Sequence, residues 1–374
     1  MIQIPLHTIR HGQIGGTEFA IYNLIRGLAS IGADVRITYG RDDDLSPDFL
    51  QWAVTSPHVR RKRKWGVPGP KSVRFLEETL FNLTRNDDDW AIFPNYFCPP
   101  AGPFAKGKNC VILHDIQYRQ FPQYHSDKRR KWLDFYLPKM FNSADLVILI
   151  SESERMLVEQ HFGKAAARKC AVVYNAIDFD RFGRDAERKP NSYTDRRYIL
   201  SVCHQFPHKN VNTLLAAFTL LAEKDPTIEL VLVGSASDEN KAFVMNSMPP
   251  HVRERVQMTG FVTDLELGEC YAQADLFVLP SLYEGFGMPA VEALGLGVPT
   301  LVSNAYSLPE VTLGYAGLID DMLTPQAWAD AMEKALLSGE RPDATAVAHI
   351  RASYAPEQSA RSLLAALRAG PTAA

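Results

Sequence analysis

Short apolar segments alternate with amphipathic helical segments along most of this chain, and no other feature restricts the fold as strongly. The N-terminal half begins with an apolar segment at 2–6, a helical segment at 19–30 and a second apolar segment at 34–39. The alternation restarts at Tyr198 (YILSVC) and continues to about residue 303. Parallel strands need a crossover connection, usually a helix, so this alternation is typical of βαβ units. The sequence therefore predicts an α/β fold with two Rossmann-like halves.

A charged segment broken by Pro190 separates the two halves. Residues 183–197 read GRDAERKPNSYTDRR, and the strand–helix alternation lapses there. Such a stretch is typical of a linker. We therefore predict an N-terminal domain at residues 1–190 and a C-terminal domain at residues 191–374.

Length, charge and cysteine content exclude several classes of protein. The 374 residues suffice for two domains with substantial cores, and the net charge of −3 argues against a dedicated nucleic-acid-binding protein. The five cysteines are scattered, odd in number and without a Cys-x-x-Cys pair, so we expect neither a disulfide framework nor a zinc site. We find no signal-peptide core and no apolar run of membrane-spanning length, which predicts a cytoplasmic protein.

Two carboxylates lie in the segment Tyr283–Glu292 (YEGFGMPAVE), which follows the apolar run DLFVLP. The glycines on either side of Phe286 permit positive φ and a close approach of the backbone to a ligand. Pro289 suits the first turn of a helix, which places Glu284 on the loop and Glu292 in the helix. Open α/β sheets bind ligands at the carboxyl ends of their strands, so both carboxylates are candidate ligand groups. The alternative is that Glu292 only complements the helix N-terminus and Glu284 is solvated.

The Glu-x₇-Glu spacing with its EGFGMP core resembles the signature of the retaining glycosyltransferases of family 4, which take a sugar from a nucleotide diphosphate. The resemblance covers most of the chain. It implies the GT-B fold, in which two Rossmann-like domains face each other across a cleft, the first binding the acceptor and the second the donor. It also implies that the final helix, here near 360–368, packs back against the N-terminal domain. No cofactor is implied, and no Asp-x-Asp follows a strand, so we expect no essential metal.

Two features of the N-terminal half match this family. Gly15 and Gly16 precede the first helix, where main-chain N–H groups can face a phosphate, and they resemble the family's loop beside the donor pyrophosphate. His114 ends an apolar strand and resembles the histidine that the family places against the donor sugar. Ser151, at the start of a later helix, is interpreted as a structural N-cap.

The C-terminal half carries the residues that the resemblance assigns to the nucleotide sugar. Lys209 can point a positive charge at phosphates, whereas His204 stands where the family commonly has Arg and would be a cation only when protonated. The resemblance implies that Glu292 grips the ribose hydroxyls and that Glu284, with the N–H groups of Phe286 and Gly287, grips the sugar. The predicted catalytic residues are Glu284, His114 and Lys209, and the predicted substrate-binding residues are Gly15, Gly16, His204, Gly234, Phe261, Val262, Gly285, Phe286, Gly287 and Glu292.

Two basic clusters in the N-terminal half each adjoin a tryptophan: residues 60–64 with Trp65, and residues 128–131 with Trp132. Such clusters are most often a solvated face. Cationic side chains beside an aromatic residue also suit anionic lipid headgroups or a phosphate-bearing acceptor. The alternatives are therefore a solvated surface and peripheral contact with the inner face of a membrane.

These features together predict a retaining hexosyltransferase that uses a nucleotide-sugar donor and a glycan or lipid-linked acceptor. The segments FPNYFCPP (93–100) and LHDIQYRQFP (113–122) resemble polysaccharide-assembly mannosyltransferases, which favours GDP-mannose over a UDP-hexose. A nucleotide-sugar epimerase on the same fold and a sugar-binding module without turnover remain alternatives. A dinucleotide-dependent oxidoreductase is disfavoured, because no G-x-G-x-x-G follows the first strand.

Overall fold

The computed structural model describes residues 1–9, 11–12, 16–63, 81, 90–95, 98, 107–183 and 196–370. The chain divides into two compact units, Met1–Ile177 with Tyr354–Ala374, and Asp178–Ser353. Each unit contains one parallel sheet with helices between its strands. The predicted α/β fold with two Rossmann-like halves is confirmed.

The first unit is built on a seven-stranded sheet in the order β3-β2-β1-β4-β5-β6-β7, with every pair parallel. Its strands are β1 (Ile2–Pro5), β2 (Val35–Tyr39), β3 (Val59–Arg63), β4 (Trp90–Phe93), β5 (Lys108–Leu113), β6 (Leu146–Leu149) and β7 (Cys170–Val172). Its described helices are α1 (Gly16–Ser30), α2 (Pro47–Thr55), α3 (Gln117–Gln120), α4 (Asp127–Ser143) and α5 (Glu152–Ala167), with α14 (Pro356–Ala369) from the C-terminal end of the chain.

The second unit is built on a six-stranded parallel sheet in the order β10-β9-β8-β11-β12-β13. Its strands are β8 (Tyr198–Val202), β9 (Glu229–Val233), β10 (Val256–Gly260), β11 (Leu276–Leu279), β12 (Thr300–Ser303) and β13 (Gly317–Ile319). Its helices are α6 (Val211–Lys224), α7 (Asp238–Ser247), α8 (Pro250–Arg253), α9 (Asp264–Gln273), α10 (Met288–Gly295), α11 (Leu308–Val311), α12 (Pro325–Ser338) and α13 (Ala344–Ser353).

The core of the second unit lies on both faces of its sheet. Side chains alternate between faces along a strand, so Ile199 joins one apolar cluster, with Phe218 and Trp328. Its neighbour Tyr198 joins the other cluster, with Phe277. Burial on both faces explains why these strands read as continuous apolar runs in the sequence.

The division between the units differs from the predicted boundary at 190/191. The structure divides the chain between Ile177 and Asp178, because the 3₁₀ helix Phe179–Phe182 packs on the second unit. A Cβ added at Gly295 would lie 2.1 Å from Phe179 Cε1, and one at Gly268 would lie 2.2 Å from the Phe182 carbonyl oxygen. Most of the predicted linker, residues 184–195, lies outside the described residues.

The last helix belongs to the first unit, as the family resemblance implied, although the single predicted boundary at 190/191 places residues 354–374 in the second. Helix α14 packs against α1 so closely that a Cβ at Gly27 would lie 2.0 Å from the Pro356 carbonyl oxygen. Glycine therefore permits the helix contact. A boundary read from the sequence as a single cut cannot assign a C-terminal helix to the N-terminal unit.

Candidate functional site

The predicted residues of the second unit follow four neighbouring strands at the carboxyl edge of the sheet, with Phe261 and Val262 after β10. His204 follows β8, Gly234 follows β9, and the loop with Glu284 follows β11. Strand order reverses between β8 and β11, because β9 and β10 extend the sheet from one side of β8 and the later strands from the other. Open α/β sheets bind their ligands in the crevice at such a switch point.

The loop between β11 and α10 is fixed by a glycine and a serine. Gly287 has a φ of +91° and caps α10, and a Cβ there would lie 2.6 Å from Leu308 Cδ2. The buried Ser307 hydroxyl lies 2.8 and 3.0 Å from the carbonyl oxygens of Glu284 and Phe286, which share its single proton. A non-glycine residue at 287 would meet both backbone strain and a steric clash, so the conformation of the loop depends on this glycine.

Glu284 lies against Lys209, although 75 residues separate them. Glu284 Oε1 accepts hydrogen bonds from Lys209 Nζ and from Ser281 Oγ, both at 2.7 Å. The side chains of Lys209 and Glu284 are only 17% and 11% exposed, which excludes the interpretation of Glu284 as a solvated loop residue. An ammonium group has three N–H donors, so Lys209 can also donate to a bound anion while it remains paired with Glu284.

Glu292 is held by two residues that the sequence patterns did not indicate. Glu292 Oε1 accepts from Arg181 Nη2 at 2.7 Å, and Oε2 accepts from the Tyr271 hydroxyl at 3.0 Å. Helix α10 begins at Met288 and has no acidic residue in its first turn, so Glu292 does not complement the helix N-terminus. The partners of the buried Glu292 carboxylate are therefore two side chains and not the N–H groups of a helix end.

The charge states of these two partners follow from their surroundings. Burial, together with the negative charge of Glu292, raises the pKa of Tyr271 well above its ordinary value, so its hydroxyl stays protonated and donates. Burial lowers the pKa of Arg181, but the carboxylates of Glu292 and Asp264 outweigh that effect and the net pKa is raised. Arg181 is therefore a permanent cation beside Glu292.

His204 contacts a hydroxyl and an aromatic ring. Its Nδ1 lies 3.1 Å from Ser235 Oγ, and its ring lies 5.3 Å from the ring of Phe261. Burial, followed by the positive charge of Lys209, lowers the pKa of His204. The imidazole is therefore neutral near pH 7, which argues against its hypothesised role as a second cation.

The remaining predicted residues of this edge differ in exposure. Gly234 has a φ of +119°, and a Cβ there would lie 2.2 Å from the Cys203 carbonyl oxygen, so close packing of the chain itself requires this glycine. Phe261 is 76% exposed directly after β10, whereas Val262 packs against the apolar core. Only the Phe261 side chain of this pair is free to meet a ligand.

His114 follows β5 in the first unit. Its Nε2 lies 2.9 Å from the Pro94 carbonyl oxygen, which can only accept, so Nε2 carries a proton. Burial lowers the pKa of His114. A neutral ring with its proton on Nε2 leaves Nδ1 as a hydrogen-bond acceptor, which suits a sugar hydroxyl.

Glu18, in the first turn of α1, contacts the two described residues His11 and Gly12. Its Oε2 accepts from the Gly12 main-chain N–H and its Oε1 lies near His11 Nδ1, each at 2.9 Å. Gly16 is the exposed first residue of α1, and Gly15 lies outside the described residues. The structural interpretation of Ser151 is confirmed, because its hydroxyl accepts from the Glu154 N–H at the start of α5.

Two family models together match most of the chain. The model described as Glycosyltransferase Family 4 matches residues 14–181, and the model described as Glycosyl transferases group 1 matches residues 183–348. The chain belongs to the family 4 type of glycosyltransferases.

Curated relatives of this glycosyltransferase include proteins named as mannosyltransferases. It is 33% identical over 235 residues to O-antigen chain mannosyltransferase B of Escherichia coli. The aligned region covers 61% of this chain and 60% of that protein. It is 34% identical over 244 residues to the serotype-specific mannosyltransferase WbdA of Escherichia coli, which covers 61% of this chain and 29% of that protein. The chain thus matches less than two thirds of the length of either relative.

Solved structures agree with the GT-B fold of this glycosyltransferase. Sucrose-phosphate synthase from Thermosynechococcus elongatus has a TM-score of 0.75 at 19% identity, with 98% of each chain covered. WaaG, a glycosyltransferase involved in lipopolysaccharide biosynthesis, has a TM-score of 0.68 at 16% identity, with 100% of each chain covered. At such low identities these similarities establish the fold alone. Within the described part of this glycosyltransferase, no helix is long and apolar enough to cross a membrane.

Sequence patterns missed several residues that shape the site. Ser281 lies three positions before Glu284, so a local search for donors near the carboxylate could have found it. Arg181 is 111 positions from Glu292, and no spacing rule connects them. Tyr271 reads as one more apolar residue of an amphipathic helix. Contacts of this kind appear only once the chain is folded.

Proposed function

We propose that this glycosyltransferase moves a hexose from a nucleoside diphosphate sugar to a glycan or lipid-linked acceptor, with retention of configuration at the anomeric carbon. The pairing of Lys209 with Glu284 at 2.7 Å carries this proposal. A nucleotide sugar presents an anionic diphosphate next to neutral hydroxyls. A cation and a carboxylate held together at a switch point match those two parts of one ligand.

Each residue has a distinct part in the proposed reaction. The bond between the anomeric carbon and the diphosphate breaks, and negative charge grows on the leaving oxygen beside Lys209. The acceptor oxygen attacks the same face and passes its proton to the leaving phosphate. Glu284 binds sugar hydroxyls, and His114 Nδ1 accepts from another. Glu292 binds the ribose hydroxyls of the nucleotide. In this route no protein carboxylate serves as nucleophile, unlike in retaining glycosidases.

We propose that the donor is GDP-mannose and that mannose is the sugar transferred. The support is that the curated relatives above are named mannosyltransferases, and so is O-antigen chain mannosyltransferase RfbU of Salmonella typhimurium, at 23% identity over 203 residues. A UDP-hexose is the alternative, since the structure of HepE from Anabaena, with a TM-score of 0.71 at 17% identity, is a complex with UDP-glucose.

Nucleotide binding and product analysis test this proposal. We expect GDP to raise the melting temperature more than UDP does, because a ligand that binds the native state stabilises it. With GDP-mannose and a glycan acceptor, we expect release of GDP together with a mannosylated product of retained configuration. A larger shift with UDP would select the UDP-hexose. An isomerised sugar nucleotide without release of nucleoside diphosphate would instead identify an epimerase.

We further propose that helix α4 makes peripheral contact with anionic membrane lipids. Lys128, Trp132, Phe135 and Lys139 are exposed and recur three or four positions apart, so they share one face of the helix. The exposed Lys131, three positions after Lys128 and four before Phe135, lies on the same face. Trp132 and Phe135 are 37% and 64% exposed, and Lys139 Nζ lies 3.4 Å from the centre of the Phe135 ring. Basic and aromatic side chains on one helix face suit the headgroup region of a bilayer.

The other basic cluster lies in a different part of the first unit. Its residues Arg60–Arg63 form the exposed part of edge strand β3, and Arg63 pairs with Asp42 at 3.3 Å. Five strand steps separate β3 from β6, the strand that follows α4 in the chain, and at roughly 4.8 Å per step this is about 24 Å. Lys64 and Trp65 lie outside the described residues. We therefore propose the lipid contact for α4 and not for β3. Charged side chains on an edge strand such as β3 prevent edge-to-edge association of sheets.

A further inference from the structure

Arg181 is held rigidly beside Glu292. It lies in the 3₁₀ helix Phe179–Phe182, its side chain is 12% exposed, and its guanidinium carbon lies 4.4 Å from the centre of the Phe182 ring. Asp264 Oδ1, at the start of α9, lies 3.6 Å from Arg181 Nη1, whereas Glu292 pairs with Nη2. Two carboxylates and an aromatic ring thus fix one guanidinium group.

The two protein donors leave the Glu292 carboxylate half occupied. A carboxylate has about four acceptor positions, two on each oxygen. Arg181 uses one position of Oε1, and the Tyr271 hydroxyl uses one position of Oε2. Counting donors from the described residues, each oxygen therefore keeps one acceptor position, which is the arrangement that two adjacent hydroxyl groups need in order to donate one hydrogen bond to each oxygen.

Arginine suits this position better than another cation. The Glu292 side chain is 4% exposed, and a buried carboxylate without a partner is costly. The planar guanidinium group can donate to Glu292 and face Asp264 at the same time, whereas a lysine ammonium is a point charge on a flexible stem. Arg181 therefore fixes both the charge and the orientation of the carboxylate.

We propose that Arg181 and Tyr271 are positioning residues that hold Glu292 for the 2′- and 3′-hydroxyls of the donor ribose, and that this arrangement distinguishes ribonucleotides from 2′-deoxyribonucleotides. The inference rests on the proposed function, because it takes Glu292 to be the ribose-binding carboxylate. Neither Arg181 nor Tyr271 contacts the nucleotide in this proposal; both act through Glu292.

The test compares the affinities of GDP and 2′-deoxy-GDP by calorimetry, repeated with UDP and 2′-deoxy-UDP, for the wild type and a set of variants. The wild type should bind GDP about tenfold or more tightly than 2′-deoxy-GDP, because a hydrogen bond to a charged acceptor is lost. Glu292→Gln should bind both nucleotides about equally. Arg181→Met and Tyr271→Phe should weaken GDP binding and lower the ratio of GDP affinity to 2′-deoxy-GDP affinity towards the value for Glu292→Gln. Arg181→Lys should restore part of this ratio relative to Arg181→Met.

Arg196→Met is the matched control. Arg196 pairs with Glu229 at 2.7 Å, the same distance as the pair of Arg181 with Glu292, but at the amino end of β9, on the opposite edge of the same sheet. This variant should keep the wild-type ratio. Tyr271→Phe keeps the buried ring and removes only the hydroxyl, so it tests the proposal even where Arg181→Met fails to fold.

Two outcomes separate the inference from the function on which it rests. Should Arg181→Met and Tyr271→Phe weaken both nucleotides equally and leave the ratio intact, these residues only support the fold and the inference is wrong. Should Glu292→Gln keep the wild-type ratio, Glu292 does not bind the ribose, and that part of the proposed function fails together with the inference.

Discussion

At the scale of single residues, the two glutamates of the Glu-x₇-Glu motif should fail in different ways. Glu292→Gln should lower nucleoside diphosphate affinity about tenfold or more, because its proposed partners, the ribose hydroxyls, lose a charged acceptor. Glu284→Gln should leave that affinity near wild type yet abolish transfer, because its proposed partner is the sugar. Calorimetry and turnover measurements, with Glu229→Gln as control, distinguish the two. Equal losses of nucleotide affinity would show that the assigned roles are wrong.

Lys209 should affect both binding and turnover. Lys209→Met removes the cation that we propose faces the diphosphate, where charge grows as the bond breaks. At roughly 1.5–3 kcal/mol for a charged hydrogen bond, kcat/KM should fall about tenfold to a hundredfold, with a lower kcat at saturating donor. Lys224→Met is the control, since Lys224 forms an exposed pair with Glu333. A near-normal kcat in Lys209→Met would leave this lysine with a structural role only.

At the scale of secondary-structure elements, helix α4 rather than strand β3 should bind anionic liposomes. Neutralising Lys128, Lys131 and Lys139 with glutamine should weaken co-sedimentation at low salt by about 1 kcal/mol per residue, and high salt should weaken the wild type in the same way. The triple variant Arg60→Gln, Arg61→Gln, Lys62→Gln should bind like the wild type. Loss of binding in that control alone would move the contact to β3, and no binding by any protein would mean that both clusters are solvated.

At the scale of the whole molecule, stability should fall as the pH falls below about 6.5. Burial lowers the pKa values of His114, His125, His161 and His204 from the ordinary 6.5. Between the lowered pKa values and 6.5, the unfolded chain therefore binds more protons than the native state. The free energy of unfolding then rises with pH across that window, and the stability that it represents falls on acidification. Carboxylates titrate mainly below this range.

The measurement is the melting temperature between pH 7.5 and pH 5. The wild type should lose stability over this range, and a His114→Gln, His204→Gln variant should lose less, compared with its own value at pH 7.5. A variant with the same pH dependence as the wild type would contradict the assigned cause. Because both imidazoles are neutral above pH 7, activity should not depend on their titration there.

The sequence alone determined the two Rossmann-like halves and the position of the glutamate motif. Strand–helix alternation and the run around Phe286 are local patterns, and in parallel sheets such patterns place the loops after strands at one edge. The glycine at 287 was also foreseeable, since a turn into a helix favours a residue with free φ.

Only the tertiary structure decided which residues hold the motif in place. Arg181 meets Glu292 from 111 positions away, and Lys209 meets Glu284 from 75, because the sheet order brings distant loops to one edge. The charge state of His204 likewise depends on burial and on the nearby Lys209, neither of which its own segment reveals. The family resemblance implied the return of α14 to the first unit, but the close contact of its first residue with Gly27 is one that no local pattern encodes. Local patterns specify elements, whereas packing between elements specifies partners, charges and unit boundaries.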